Sequence, residues 1–227
     1  MKLDNLPGKE AQLKMAPIGR AQGLLSEKEI PESSIRSSVL VLLYPPGIKG
    51  EGRDSTQEEW SVLLMKRSNY NGAHSGQISF PGGKREPYDK DNAKTAERET
   101  FEELGISADS YRVFGELTHL YIPVSGFVIY PVLAVSTNGK FPAYINEKEV
   151  QNWKVIPLSA LDPKQAGTIK IERGNREWSD APCYIIDDYA IWGATAMILS
   201  ELYQFMLEAT VRISLSSPYI SSSNVDI

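Results

Sequence analysis

Four charged residues in one short run, Arg98, Glu99, Glu102 and Glu103, have the types and spacing to do chemistry together. They lie in residues 91–104, a stretch without Gly or Pro that Gly105 closes. That pattern predicts a helix of about 14 residues. At about 100° per residue, Glu102 stands about 60° to one side of Glu99 and Glu103 about 40° to the other. Three carboxylates therefore share an arc of about 100°. Like charges packed this way cost a bare helix a few tenths of a kcal/mol per pair, and a cation on that face would relieve them. Mg²⁺ and Mn²⁺ prefer oxygen ligands and keep water and substrate phosphate in their shell. The plain alternative is a solvated acidic face, which is what most Glu-rich helices are. Just upstream, Gly82-Gly83 follows Phe80-Pro81 in a turn where the backbone can take unusual φ values.

The elements that must position this helix can be read around it. Residues 37–44 are a Val/Leu-rich strand stopped by Pro45-Pro46-Gly47, and residues 60–66 read as its hairpin partner. Short strands are expected at 76–80, 111–117, 126–135 and 155–158, with a helical turn at 159–161. Residues 184–187 and 189–192 flank a turn. Residues 191–213 read as a long amphipathic helix, with Ala194, Met197, Ile198, Leu202, Phe205 and Ala209 near helical spacing. Residues 1–35 are expected to form an N-terminal arm lying on a main domain of residues 36–213. Residues 214–227 form a serine-rich tail. Strands and helices mix without regular alternation, so the fold class is α+β.

Composition narrows the partners. The chain has 227 residues, 41% hydrophobic and 23% charged, close to a soluble globular average. Lys and Arg total 24 against 29 Asp and Glu, a net charge of −5. That argues against a nucleic-acid polymer as partner. It also means that a phosphorylated ligand needs a local source of positive charge. Cys183 is the only cysteine, so no intramolecular disulfide forms, and a passive thiol is expected there. No apolar run approaches the length that spans a bilayer. These features point to a soluble, cytoplasmic protein with no membrane partner. Oligomeric state is open, a homodimer included.

The segment from Gly83 to Ile106 resembles the Nudix box, G-x5-E-x7-R-E-U-x-E-E-x-G-U, where U is apolar. Arg98-Glu99, Glu102-Glu103, Gly105 and Ile106 match in spacing, and Thr100 stands at the first U. Asp89 replaces the first Glu, and eight residues rather than seven separate it from Arg98. Leu63-Leu64-Met65-Lys66-Arg67-Ser68 and Gly76-Gln77-Ile78-Ser79-Phe80-Pro81-Gly82-Gly83 resemble the extra motif of the coenzyme A pyrophosphatase subgroup, L-L-T-x-R-S-x3-R-x3-G-x3-F-P-G-G. Met65 departs at the Thr position and Gly72 at the second Arg. His74 or Lys66 could supply a substitute donor.

The resemblance implies an α/β/α sandwich with a mixed sheet between helices. It implies Mg²⁺ or Mn²⁺ on Glu99, Glu102 and Glu103, with Glu99 orienting or deprotonating water and Arg98 orienting a box Glu. Glu149, with Glu147 as rival, resembles the distal loop acid. Arg67, Ser68, Gln77, Gly82 and Gly83 would shape substrate binding. The implied reaction is hydrolysis of a small nucleotide: coenzyme A or its acyl derivatives, to 3′,5′-ADP and 4′-phosphopantetheine. Gly72 keeps ADP-ribose, NADH or a dinucleotide polyphosphate in view. A Nudix-fold binding or regulatory module is the third reading, and the intact Arg98, Glu99, Glu102 and Glu103 argue against it. On this reading Glu102→Gln is expected to lose most hydrolytic activity while its circular dichroism stays that of the wild type. Wild-type turnover in that variant would refute the metal assignment.

Overall fold

The computed structural model describes residues 3–17, 29–47, 59–68, 76–172 and 178–216. Its centre is β1 (Ile35–Tyr44), whose Val39 to Leu43 run is apolar on both faces. Such a strand is stable only where both faces are covered. β1 pairs antiparallel with β2 (Ser61–Arg67) near its C-terminal end and with β4 (Gly82–Lys84) near its N-terminal end. On its other side it pairs in parallel with β7 (Phe127–Ser136), from Ile35 opposite Phe127 to Leu43 opposite Val135. β2 also pairs with β3 (Ile78–Ser79) and β8 (Val150–Pro157). β7 also pairs with β5 (Tyr111–Glu116) and β6 (Leu120–Ile122). The result is an eight-stranded mixed sheet.

Alternation along β1 divides the core in two. Leu40, Leu42 and Tyr44 pack with Leu63, Met65, Val132 and Ala134 beneath α2 (Asn92–Leu104), which contributes Ala96 and Leu104. Val41 and Leu43 pack with Val62, Leu64 and Leu133 beneath α3 (Gly193–Ser216), which contributes Ala196, Met197, Leu199 and Leu202. Each such side chain contributes about 1.5–3 kcal/mol on full burial. The sheet thus lies between helices as expected. A second antiparallel sheet, β9 (Gly167–Glu172), β10 (Trp178–Ile186) and β11 (Tyr189–Trp192), leads into α3. Among the described residues no helix is long and apolar enough to cross a membrane.

Several elements differ from the sequence reading. β4, β6 and β9 were not expected. β4 and β6 have three residues each, and two of those in β4 are the glycine pair, too few to show a period. β9 is an exposed edge strand whose Thr168, Lys170 and Glu172 carry no apolar signal. β8 begins five residues before the expected strand, at Val150. It pairs only with β2, and its Gln151 and Asn152 are exposed, so that half reads as polar loop. α3 begins at Gly193, because Ile191 and Trp192 are held in β11 opposite Tyr184 and Cys183. It runs to Ser216, and residues 217–227 lie outside the described residues. Cys183 is fully buried, and burial pushes its thiol pKa up.

The N-terminal segment is sealed onto α3. α1 (Gly8–Leu13) and Met15 bring Ala11, Gln12 and Met15 to 2%, 0% and 0% exposure. Gln12 Nε2 donates to Glu201 Oε2 at 2.8 Å and to the Thr118 carbonyl at 2.8 Å. Glu201 Oε1 accepts from the Thr118 N–H at 3.1 Å, and Ser200 Oγ donates to the Ala11 carbonyl at 2.6 Å. Gln12 and Glu201 therefore satisfy both backbone groups of Thr118, as a neighbouring strand would. Glu201 is fully buried, which pushes its pKa up against these donors. Gln12→Ala removes the amide that serves two buried acceptors. It is expected to lower the stability of the full chain by about 1–3 kcal/mol. Urea unfolding, with Glu10→Ala at an exposed position of the same helix as control, measures this.

Candidate active site

α2 is started and stopped by its own sequence. The Asp91 side chain accepts from the Lys94 N–H at 2.8 Å, capping the first turn. Gly105 ends it at φ 65°, a left-handed conformation that other residues adopt with strain. Between these caps Thr95, Ala96, Thr100, Glu103 and Leu104 turn to the sheet. Thr100 accordingly fills an apolar slot, and its Oγ1 is buried without a hydrogen-bond partner.

Glu103 is the buried member of the carboxylate group, at 1% exposure. Its Oε2 accepts from the Gly82 N–H at 2.8 Å, and its Oε1 lies 3.5 Å from Arg67 Nη1. Burial pushes its pKa up to about 8, against the pull of Arg67 and the Gly82 N–H, while Glu99 and Glu149 add to the rise. Arg67 Nη2 also reaches the Gly82 carbonyl at 3.4 Å. A side chain at Gly82 would meet Ser38 O at 2.3 Å and Val39 Cα at 2.5 Å, so only glycine allows this approach. A side chain at Gly83 would lie 2.4–2.6 Å from the Glu99 carboxylate.

Arg98 gathers the remaining acids. Its Nη1 lies 2.9 Å from Glu99 Oε1 and 3.2 Å from Glu102 Oε2. Its Nε and Nη2 hold Asp89 Oδ1 and Oδ2 at 3.2 and 3.0 Å, and Nη2 donates to the Lys84 carbonyl at 3.0 Å. Asp89 holds the Arg98 pKa well above its usual value, and Arg98 in turn is the main influence holding Asp89 low. Asp89 also accepts from Glu86 N–H at 2.9 Å and Thr95 Oγ1 at 3.1 Å. It is thus a loop cap and a brace for Arg98. Burial raises the Glu99 pKa, Arg98 lowers it, and Glu102 and Glu149 raise it further.

A loop joins from the far side of the sequence. Asn146 N–H donates to the Glu103 carbonyl at 2.9 Å, and Asn146 Nδ2 donates to Glu149 Oε1 at 3.1 Å. The Glu149 charge adds to the upward shifts of Glu99 and Glu103. Ser68 N–H donates to the Glu149 carbonyl at 2.9 Å, and Ser68 Oγ to the Glu147 carbonyl at 2.8 Å. Ser68 thus clamps this loop, a use its place in the motif did not reveal. The Gln77 carbonyl accepts from the Arg67 N–H at 3.0 Å. Asn146 is the site residue that sequence reasoning missed, because no spacing rule connects it to α2. Met65 is fully buried in the core under α2, so the Thr-to-Met departure is a packing change. Gly72 and His74 lie outside the described residues.

The donor set suits a hard divalent cation: carboxylate oxygens that repel one another, with the Glu99 carboxylate lying directly against the Gly83 backbone. Among the described residues no three such side chains already stand in a coordinating arrangement. Glu99 and Glu102 rest on Arg98, and Glu103 on Gly82 and Arg67. A recess of about 530 Å³ lies on the outer side of Arg98 beside Tyr88, Lys94 and Phe101 and does not include Glu99 or Glu103. The chemistry of the carboxylates, not the size of that recess, marks the site.

Comparison with known proteins agrees with this geometry. A family model described as the NUDIX domain matches residues 48–176, more than half of the chain. The human mitochondrial coenzyme A diphosphatase NUDT8 is 33% identical over 151 residues, which cover 66% of this chain and 64% of that protein. The chain therefore matches just under two thirds of the human protein's length. An uncharacterized Nudix hydrolase NudL of Yersinia pestis (strain Pestoides F) is 34% identical over 149 residues, covering 64% and 72%. Nudix hydrolase 3 of Caenorhabditis elegans is 29% identical over 188 residues, covering 76% and 74%. The crystal structure of a Nudix hydrolase from M. smegmatis, RenU, aligns over 88% of this chain and 98% of that one, with 15% identity and a TM-score of 0.49. With Arg98, Glu99, Glu102 and Glu103 on one helix against Gly82-Gly83, and the domain match spanning them, the chain belongs to the Nudix hydrolase family.

Proposed function

We propose that this hydrolase cleaves the pyrophosphate bond of coenzyme A or acyl-coenzyme A, with Mg²⁺ or Mn²⁺ as cofactor, to 3′,5′-ADP and 4′-phosphopantetheine. The observation that carries the reaction type is that Arg98 gathers Glu99 and Glu102 while Glu99 lies against Gly83 and Glu103 accepts from the Gly82 N–H. The substrate rests on the Leu63 to Gly83 motif and on the likeness to the human coenzyme A diphosphatase. Gly72, where the motif has Arg, favours ADP-ribose, NADH or a dinucleotide polyphosphate as the second reading.

Glu99, Glu102 and Glu103 would hold the cation. Bound there, it would offset phosphoryl charge and lower the pKa of a water. Arg98 fixes the approach of Glu99 and Glu102, and Asp89 fixes Arg98. Glu149, oriented by Asn146, stands ready to take a proton from the attacking water. Water oxygen forms a bond to phosphorus, the anhydride P–O bond breaks, and each half leaves with a phosphate. No covalent enzyme intermediate is needed, because positioning and charge stabilisation carry such reactions. Gly83, having no side chain, lets the Glu99 carboxylate lie against the backbone.

A panel of diphosphates incubated with Mg²⁺ or Mn²⁺, with products identified by mass, tests the assignment. Coenzyme A is expected to be cleaved fastest. Faster cleavage of ADP-ribose would overturn the substrate, and no cleavage of any member would overturn the activity. Gly83→Ala puts a methyl group onto the Glu99 carboxylate. It is expected to lower kcat/KM by about 100-fold with the fold retained. It is also expected to diminish the rise in Tm that Mg²⁺ produces in the wild type. An unchanged Tm response and unchanged kinetics would remove Gly83 from the site.

A further inference from the structure

Register along β1 extends the site toward an unassigned recess. Ser38 pairs with Gly83 on one side and with Tyr130 on the other. Side chains at opposed positions share a face, and the missing side chain of Gly83 points at Glu99, so Ser38 and Tyr130 face the α2 side. Arg36 is two residues from Ser38, on that same face, about 7 Å along the strand. Its guanidinium lies over the Tyr130 ring, 5.7 Å from the centroid. Among the described residues it makes no ion pair. Arg36 and Tyr130 border a recess of about 230 Å³ together with Pro31, Glu32, Ser34 and Val128. Ser34 Oγ in that recess is sealed from solvent and has no hydrogen-bond partner. The larger recess beside α2 differs here, since its Arg98 is held by Asp89 and its Lys94 by Glu97.

An exposed guanidinium over an aromatic ring, with a spare buried hydroxyl beside it, suits a terminal phosphate monoester. Coenzyme A carries one, at the 3′ position of its ribose. ADP-ribose, NADH and dinucleotide polyphosphates carry none. We propose that Arg36 and Ser34, with the Tyr130 ring beneath the guanidinium, form the subsite for the 3′-phosphate of the substrate. The assignment rests on the coenzyme A reading above. Glu32 stands on the rim with its own charge, so it limits the affinity of this subsite, and Glu32→Gln is expected to tighten it.

Two measurements separate the subsite from the reading it rests on. The first compares kcat/KM for coenzyme A and its dephospho form. The wild type is expected to favour coenzyme A by about tenfold or more, mainly through KM, and Arg36→Gln to bring the ratio near one. A wild-type ratio near one, or an unchanged ratio in Arg36→Gln, overturns the subsite. The second is calorimetric binding of 3′,5′-ADP against 5′-AMP, which needs no turnover. Tighter binding of 3′,5′-ADP that Arg36→Gln abolishes upholds the subsite even if coenzyme A is not cleaved, in which case the substrate reading alone fails. Equal binding of the two nucleotides overturns the subsite even if coenzyme A is cleaved.

Discussion

A carboxylate sealed under a helix must find donors or stay neutral, and Glu103 meets this constraint by tying three elements together. The Gly82 N–H and Arg67 reach it from β4 and β2, and its own backbone carbonyl receives Asn146. Removing Arg67 or drawing the Gly82 N–H away leaves a buried acidic group short of partners, which costs more than an ordinary hydrogen bond contributes. The requirement sets the height of α2 over the sheet. It also explains Gly82, whose backbone must pass within reach of Glu103 while pressed against Ser38 and Val39.

Arg98 applies the same logic at the exposed edge. One guanidinium serves Asp89, Glu99, Glu102 and the Lys84 carbonyl, so the loop after β4 and the acidic face of α2 are braced as a unit. The planar fork of Arg allows this, and a lysine could not span five oxygens in fixed directions. The shorter, displaced Asp89 still reaches Arg98 because the loop folds back on itself, with Asp89 accepting from Glu86. The extra residue in the box is therefore absorbed in the loop before the helix, and the spacing within the helix is kept.

Much of the framework was legible in the residues. The gap between Asp91 and Gly105 read as a helix because both caps are local chemistry. β1 and β7 read as strands because they are apolar on both faces. The sheet edges were harder. β8 is polar over its first half because one side of it meets no strand, and β9 is an exposed edge whose period of two rests on Ile169 and Ile171 alone, so neither stood out. The arm at residues 3–17 gave no sign that Gln12 would be buried. Its amide is accepted inside only because Glu201 and Thr118, far along the chain, present acceptors there.

What the sequence by itself determined was the helix, its arc of carboxylates, the glycine pair before it and the family they mark. Those depend on residue spacing within a few turns, which local geometry sets. Only the tertiary structure decided which acid is buried, that Arg98 and Asp89 form one brace, and that Asn146 holds the Glu149 carboxylate. It alone brought Asn146 to α2 and Arg36 within two residues of the Gly83 register. These outcomes depend on which strands pair and which face each turns inward. Pairing is a property of the whole sheet, so no local pattern carries it.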